Sequence, residues 1–297
     1  MSGHPIVLAH GGGRFDILLA FIRDRLPAGG AVRSFNRIVG DRLGYFRYIR
    51  RALAERGFEV HDPTLSFVAP LAKRAEDLKR AVERILAPHG PSAKVHLIGH
   101  SMGGLDARYM IARLGMADRV AGLVTIGTPH LGTGQADYRL VETQLPRRLI
   151  ELVSRTGLDF RGFEDLTTAR CRAFNAEVEA AEAANGVTYI TYTSTQEKVE
   201  RVFLLLRRAW ARIREREGPN DGLVSAASQR WTDVLRGSGA EKKVERRDFP
   251  LPADHLNQIG WWHPWTGPLR ERQTFERTIR DVYVQIAEDL RARAAST

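Results

Sequence analysis

A single cysteine, Cys171, stands among the 297 residues, so no disulfide can close within the chain and the fold must rest on its packed core. A reducing compartment fits that scarcity without being required by it. No apolar run approaches the roughly 20 residues of a membrane-crossing helix. The start, Met1-Ser2-Gly3-His4-Pro5, has no basic stretch leading into a long apolar segment, so no export signal is visible and a cytoplasmic location is the expectation. Acidic residues are the minority, 35 Asp and Glu against 45 Lys and Arg, and the net charge of +10 favours anionic partners without choosing among them. There is no G-x-x-x-x-G-K-[ST] loop, no dinucleotide glycine spacing and no nucleic-acid motif, so nucleic acid is not an expected partner. Internal repeats are missing as well.

What is present is an ordinary globular composition, 43% hydrophobic and 27% charged, on a length that can bury one large core. One catalytic domain over 1–297 is expected. Pro5 to His10 is a short apolar run ending in Gly11-Gly12-Gly13, which reads as a buried strand followed by a loop with unusual backbone angles. Asp41 to Gly57 reads as an amphipathic helix and Phe58 to His61 as a strand. Leu71 to Leu86 is a second helix, closed by Pro88 and Gly90. Lys94 to Ile98, Gly104 to Leu114 and Val120 to Ile126 continue as strand, helix, strand, and Val187 to Thr193 restores a strand after a mixed segment. Thr274 to Leu290 looks like a closing helix, and the charge-dense Glu241 to Asp248 like a solvated turn or edge. Strands that are apolar throughout and alternate with helices build a mostly parallel sheet covered on both faces, an α/β architecture.

Gly99-His100-Ser101-Met102-Gly103 matches G-x-S-x-G directly between a strand and a helix. A turn that sharp strains the serine's backbone and demands small neighbours, which Gly99 and Gly103 supply. It also aims the hydroxyl outward and sets the amide of Met102 at a helix N-terminus, where a developing oxyanion is stabilised. A serine hydroxyl is a weak nucleophile and needs an imidazole to take its proton and a third group to fix the tautomer. Of nine histidines, His10, His96 and His100 lie in or beside buried strands and read as structural, while His4, His61 and His89 precede the serine. That leaves His130, His255 and His263. His255, in the late polar loop Ala253 to Asn257, is the preferred base over His263, which sits among Trp261, Trp262 and Trp265. Asp221, in the tight turn Gly218 to Gly222, is the preferred acid, with Asp248 and Asp254 as alternatives; Asp254 is the weaker because it adjoins the base. The second oxyanion donor should come from the loop after the first strand, where Gly12 is the choice.

These residues resemble the bacterial true lipases, the Pseudomonas and Burkholderia triacylglycerol lipase group, and their esterase relatives. The resemblance runs through Pro5 to Gly11, Leu97 to Gly104 with Arg108-Tyr109, Thr125 to His130, Leu166 to Arg170, Asn220 to Ser225, and His255-Leu256-Asn257. It implies the α/β-hydrolase fold, a triad of Ser101, Asp221 and His255, oxyanion donors Gly12 and Met102, and a lid or cap insertion from Gly132 to about Phe163. It makes His130 a structural residue beside the pocket. It implies a lipid or acyl ester as substrate, with transient contact at a lipid interface. Two positions depart from the pattern. Gly12 and Gly13 stand where the family usually has a bulky apolar residue, so the acyl pocket is shaped differently. Asn257 replaces an aspartate that serves a structural calcium, so calcium is not expected, and neither is any other cofactor.

Arg201 to Glu217 places Val202, Leu205, Leu206, Ala209 and Ile213 on one stripe among arginines, a pattern that fits a helix packed on the sheet better than one lying on anionic membrane. Acyl transfer to an alcohol other than water, and noncatalytic lipid or membrane-surface binding on the same fold, are the competing readings.

Overall fold

The computed structural model describes residues 3–12, 44–66, 69–141, 161–237, 239–262 and 269–295. The chain runs β1 (Ile6–Ala9), α1 (Ile49–Glu55), β2 (Val60–His61), α2 (Leu71–Leu86), β3 (Val95–His100), α3 (Met102–Arg113), β4 (Val120–Ile126) and α4 (Gly134–Val141). It continues with α5 (Thr168–Ala184), β5 (Thr188–Thr193), α6 (Arg207–Glu217), α7 (Ala226–Arg230), β6 (Val234–Gly237), β7 (Ala240–Lys243), β8 (Glu245–Asp248) and α8 (Leu269–Ala295). Six strands form one sheet in the order β2-β1-β3-β4-β5-β8, every neighbouring pair parallel, and β6 pairs with β7 in a separate antiparallel hairpin.

Successive strand side chains point to opposite faces, so a strand that is apolar throughout feeds two cores. Ile6, Leu8, Ile98, Val124, Ile126 and Ile190 face a layer built from Ile49 and Leu53 of α1 and Ile279, Tyr283, Ile286 and Leu290 of α8. Val7, Ala9, Leu97, Leu123 and Tyr189 face Leu78 and Val82 of α2 and Ala107, Met110 and Ile111 of α3. Burying each such aliphatic side chain contributes roughly 1.5–3 kcal/mol. Leu105 of α3 joins Cys171, Phe174 and Val178 of α5 in a smaller cluster.

The chain passes from β1 to β2 on one side and then crosses to β3 on the other, so β1 and β3 flank the point where the winding direction reverses. The carboxyl ends of strands at such a reversal open a crevice. His10 to Gly12 leave β1 there, and Ser101 leaves β3.

Several element boundaries differ from the expectations. The first helix spans only Ile49–Glu55, because Tyr48 takes a left-handed conformation, φ 58°, that interrupts any helix reaching back to residue 44; residues 41–43 lie outside the described residues. The helix expected from Gly104 begins at Met102. Of the two readings of residues 241–248, a solvated turn or an edge, the edge holds: they carry most of β7 and all of β8, and β8 is the edge strand of the main sheet. Residues 201–217 hold the end of one short 3-10 turn, a second at Leu204–Leu206 and then α6, and Leu205, expected on the buried stripe, is 66% exposed. Of the expected lid, residues 142–160 lie outside the described residues, as do Gly13, His263 and Trp265. The ends of that segment are pinned together, since Thr133 N donates to Leu166 O at 2.9 Å and the Asp137 carboxylate accepts from Thr168 N and Oγ1 at 3.0 and 2.9 Å. Among the described residues no helix is long and apolar enough to cross a membrane.

Candidate active site

Ser101 sits at φ 56°, ψ −131°, one of three non-glycine residues with positive φ among the described residues. Such a conformation is costly and is held only by its surroundings. Three glycines make it feasible. A Cβ on Gly99 would meet Gly104 N at 2.7 Å, one on Gly103 would meet Ala9 O at 2.2 Å, and one on Gly104 would meet Thr128 Oγ1 at 2.2 Å. The helix can therefore approach both β1 and the end of β4 only where side chains are missing. Ser101 N donates to Ile126 O at 3.0 Å, tying the turn to β4.

Met102 opens α3, so its N–H has no intrahelical acceptor and points with the positive end of the helix dipole. The β1 loop comes equally close: a Cβ on Gly11 would lie 2.7 Å from Ser101 Cβ and 2.6 Å from the Tyr45 hydroxyl oxygen. Gly12 follows as a partly buried bend. The loop is fixed from behind by His10, whose Nε2 accepts from Leu65 N at 2.9 Å, which puts the ring proton on Nδ1 for Gly11 O at 2.7 Å. Arg74 adds a second tether, donating to His10 O and Ser66 O at 2.7 Å each while its fork meets Asp106 at 2.7 Å. Both members of that pair are fully buried, and burial pushes the Asp106 carboxyl up to about 6 even beside the guanidinium.

His255 Nδ1 lies 2.7 Å from Asp221 Oδ2, and His255 N donates to Asp221 O at 2.7 Å, so the two loops are joined through side chain and backbone. The other carboxylate oxygen, Oδ1, accepts from Leu223 N and Val224 N at 3.0 and 2.8 Å, the hydrogen bonds of a tight turn turned to orienting use. With Nδ1–H committed to Asp221, Nε2 is left as a proton acceptor. The His255 ring centroid is 4.6 Å from that of His100, the residue before Ser101. The structure thus brings the Ser101 turn, Asp221 and His255 to one rim of the sheet.

The other candidates are engaged elsewhere. Asp254 accepts from Phe203 N, Leu256 N and Asn257 N, and burial raises its carboxyl to about 6. Asp248 is exposed and meets Arg230 at 3.4 Å. His130 stacks on Trp231 with centroids 4.6 Å apart and meets Thr125 Oγ1 at 2.9 Å, and burial holds it well below its ordinary value. Cys171 is buried and its thiol is pushed up to about 12, too high for a thiolate nucleophile. Asn257 engages both ends of its amide inside its own loop, accepting from Asp254 N and donating to Trp261 O. Among the described residues no three His, Cys, Asp or Glu side chains converge as metal ligands.

A relay that sequence reasoning missed runs behind the acid. Gln258 Nε2 donates to Asp221 Oδ2 at 2.9 Å, so its Oε1, 3.0 Å from His100 Nε2, must accept. That places the His100 proton on Nε2 and makes Nδ1 the acceptor for the Tyr45 hydroxyl at 2.7 Å. Burial, with His255 alongside, holds His100 well below its ordinary value, consistent with a neutral ring. The Tyr283 hydroxyl donates to Gln258 O at 3.0 Å. The spacing of three from His255 in a short turn was the available signal for Gln258; nothing local marked Tyr45.

This is the α/β-hydrolase fold, with a strained serine at the strand-to-helix turn and a carboxylate-imidazole pair arriving from later loops. The family profile described as alpha/beta hydrolase fold matches residues 5–146. The chain is 26% identical over 265 residues to triacylglycerol lipase 2 of Saccharomyces cerevisiae, covering 84% of this chain and 73% of that one. It is 34% identical over 134 residues to a triacylglycerol lipase of Vibrio cholerae, covering 45% of this chain and only 35% of that protein. Among solved structures, a metagenomic carboxyl esterase superposes with a TM-score of 0.65 at 17% identity, covering 98% of this chain and 76% of that one.

Proposed function

We propose that this protein is a serine carboxylic-ester hydrolase acting on lipid or other acyl esters. The observation that carries the reading is the 2.7 Å contact between His255 Nδ1 and Asp221 Oδ2, made beside the strained Ser101 turn at the reversal point of the sheet. The names of the relatives, triacylglycerol lipases and a carboxyl esterase, support the same class. His255 Nε2 takes the Ser101 proton as Oγ attacks the ester carbonyl, and the amides of Gly12 and Met102 receive the oxyanion. Collapse expels the alcohol, which takes the proton from His255, and leaves an acyl-serine. Water, deprotonated by the same ring, then releases the acid and restores the hydroxyl. Asp221 holds the tautomer and stabilises the imidazolium.

A fluorophosphonate probe is expected to label the chain at Ser101, with labelling abolished in Ser101→Ala. Turnover of p-nitrophenyl esters from acetate to palmitate, with and without an emulsified interface, then defines the acyl preference. An unlabelled wild-type protein, or equal labelling of both proteins, would defeat the assignment.

A further inference from the structure

The carboxyl ends of β5 and β8 carry a cavity of about 520 Å³ to which none of Ser101, Asp221 and His255 contributes. Its two acids are already answered, Glu197 by Arg214 at 2.6 Å and Asp248 by Arg230 at 3.4 Å. Lys198 and Arg201, also lining it, are exposed and form no ion pair among the described residues. The hydroxyl of Thr195, half-buried in the wall, has no partner there either. The cavity therefore offers two uncompensated cations and a neutral donor, the groups that hold a phosphate ester.

The chain leaving this cavity turns apolar side chains outward. Val199 is 42% exposed, Leu204 67% and Leu205 66%, while Val202 and Leu206 are buried beneath them. Residues 198–208 hold Lys198, Arg201, Arg207 and Arg208 against one acid, Glu200. The segment is fastened to the base loop, since Phe203 N donates to Asp254 Oδ2 at 2.7 Å, next to His255. Two adjacent leucines left in water amid cations match a surface that is apolar inside and anionic at its face. A bilayer supplies both at once, and a headgroup suits the cavity beside the leucines.

We propose that residues 198–208 and the adjoining cavity dock the protein on an anionic phospholipid bilayer, with a headgroup phosphate held by Lys198, Arg201 and Thr195 and the acyl region met by Val199, Leu204 and Leu205. This goes beyond ester hydrolysis and stands independently of it, because binding is read on a chain that cannot turn over.

The test is cosedimentation of Ser101→Ala protein with phosphatidylcholine vesicles, with and without phosphatidylglycerol. Binding is expected only with phosphatidylglycerol. Adding Lys198→Ala with Arg201→Ala should weaken it about 25-fold, since each cation near an anionic surface contributes roughly fivefold. Leu204→Ser with Leu205→Ser should weaken it about tenfold or more. Arg172→Ala with Lys243→Ala, which removes the same charge outside the patch, should leave it unchanged. In the Ser101 background each pair should keep wild-type turnover of p-nitrophenyl butyrate and a wild-type melting temperature, showing that the fold is intact. Absence of binding, equal binding to phosphatidylcholine alone, or equal weakening by the control pair would overturn the proposal. So would binding of glycerol 3-phosphate at Lys198 and Arg201 in a chain whose vesicle binding ignores the leucines, which would mark a soluble phosphate ester instead.

Discussion

Gln258 has a single amide and commits both ends of it to the site, one to Asp221 and one to His100. Gln258→Leu keeps the volume but leaves Asp221 Oδ2 one donor short and the His100 N–H without an acceptor, both in a fully buried setting. The unpaired His100 N–H costs roughly 1–3 kcal/mol, and the donor lost to the carboxylate, which His255 still engages, adds about 1 kcal/mol. Denaturant unfolding should show a loss of about 2–4 kcal/mol, and kcat should fall with KM little changed, because Asp221 is held less firmly behind the imidazole. Tyr45→Phe, one link further out, should give a smaller effect in the same direction. Asp221→Asn is the sharper change. It sets an amide against His255 Nδ1 and admits the wrong tautomer, and steady-state kinetics should show kcat reduced about 10⁴-fold. A drop below tenfold would remove Asp221 from the role assigned to it.

At the scale of elements, the Arg74–Asp106 pair joins α2 to α3 and, through His10 O, to the loop that faces Ser101. Arg74→Met strands a buried carboxylate and should cost about 3–5 kcal/mol. Asp106→Leu in the same chain should recover much of that in chemical denaturation, yet activity should stay low, because His10 O has still lost its donor. Recovery of stability and activity together would show that Arg74 does not position the loop. Much of the architecture was legible at this scale. The strand β1 is apolar without interruption, and β3 and β4 nearly so, because both faces are covered, and α2 shows its stripe because only one of its faces is. The edge strand β8 was legible only as a charged turn or edge: Glu245 and Arg247 are answered by Arg293 and Asp289 of α8, so its sequence carries charges where an inner strand carries valines. Leu205 misled for the opposite reason, since an apolar residue in helical register with buried neighbours is exposed. Asp221 and His255 could be read because turn chemistry and order along the chain constrain them. Tyr45 could not, because its partner His100 lies 55 residues away and only the tertiary fold brings them together.

The molecule as a whole should respond to acid through histidines buried without charge. His96 has neither ring nitrogen hydrogen-bonded, and burial lowers it to about 4. The unfolded chain binds a proton at this residue below about 6.5 and the folded chain does not until about 4, so the unfolded state holds more protons in that window and stability falls as pH falls through it. For His96 alone the loss between pH 8 and pH 5 is about 2 kcal/mol. His96→Leu removes the titration together with two unpartnered buried nitrogens. It should be at least as stable as wild type at pH 8 and gain about 2 kcal/mol over it by pH 5, measured by urea unfolding at both values; a constant difference would refute the account.

The closing helix α8 covers one face of the sheet, and its Tyr283 hydroxyl grips the backbone of the residue that steadies Asp221. A chain in which that helix has not yet packed lacks both that cover and that grip. The carboxylate behind the imidazole is then steadied last, and the order of assembly itself keeps the site idle until the sheet is closed over.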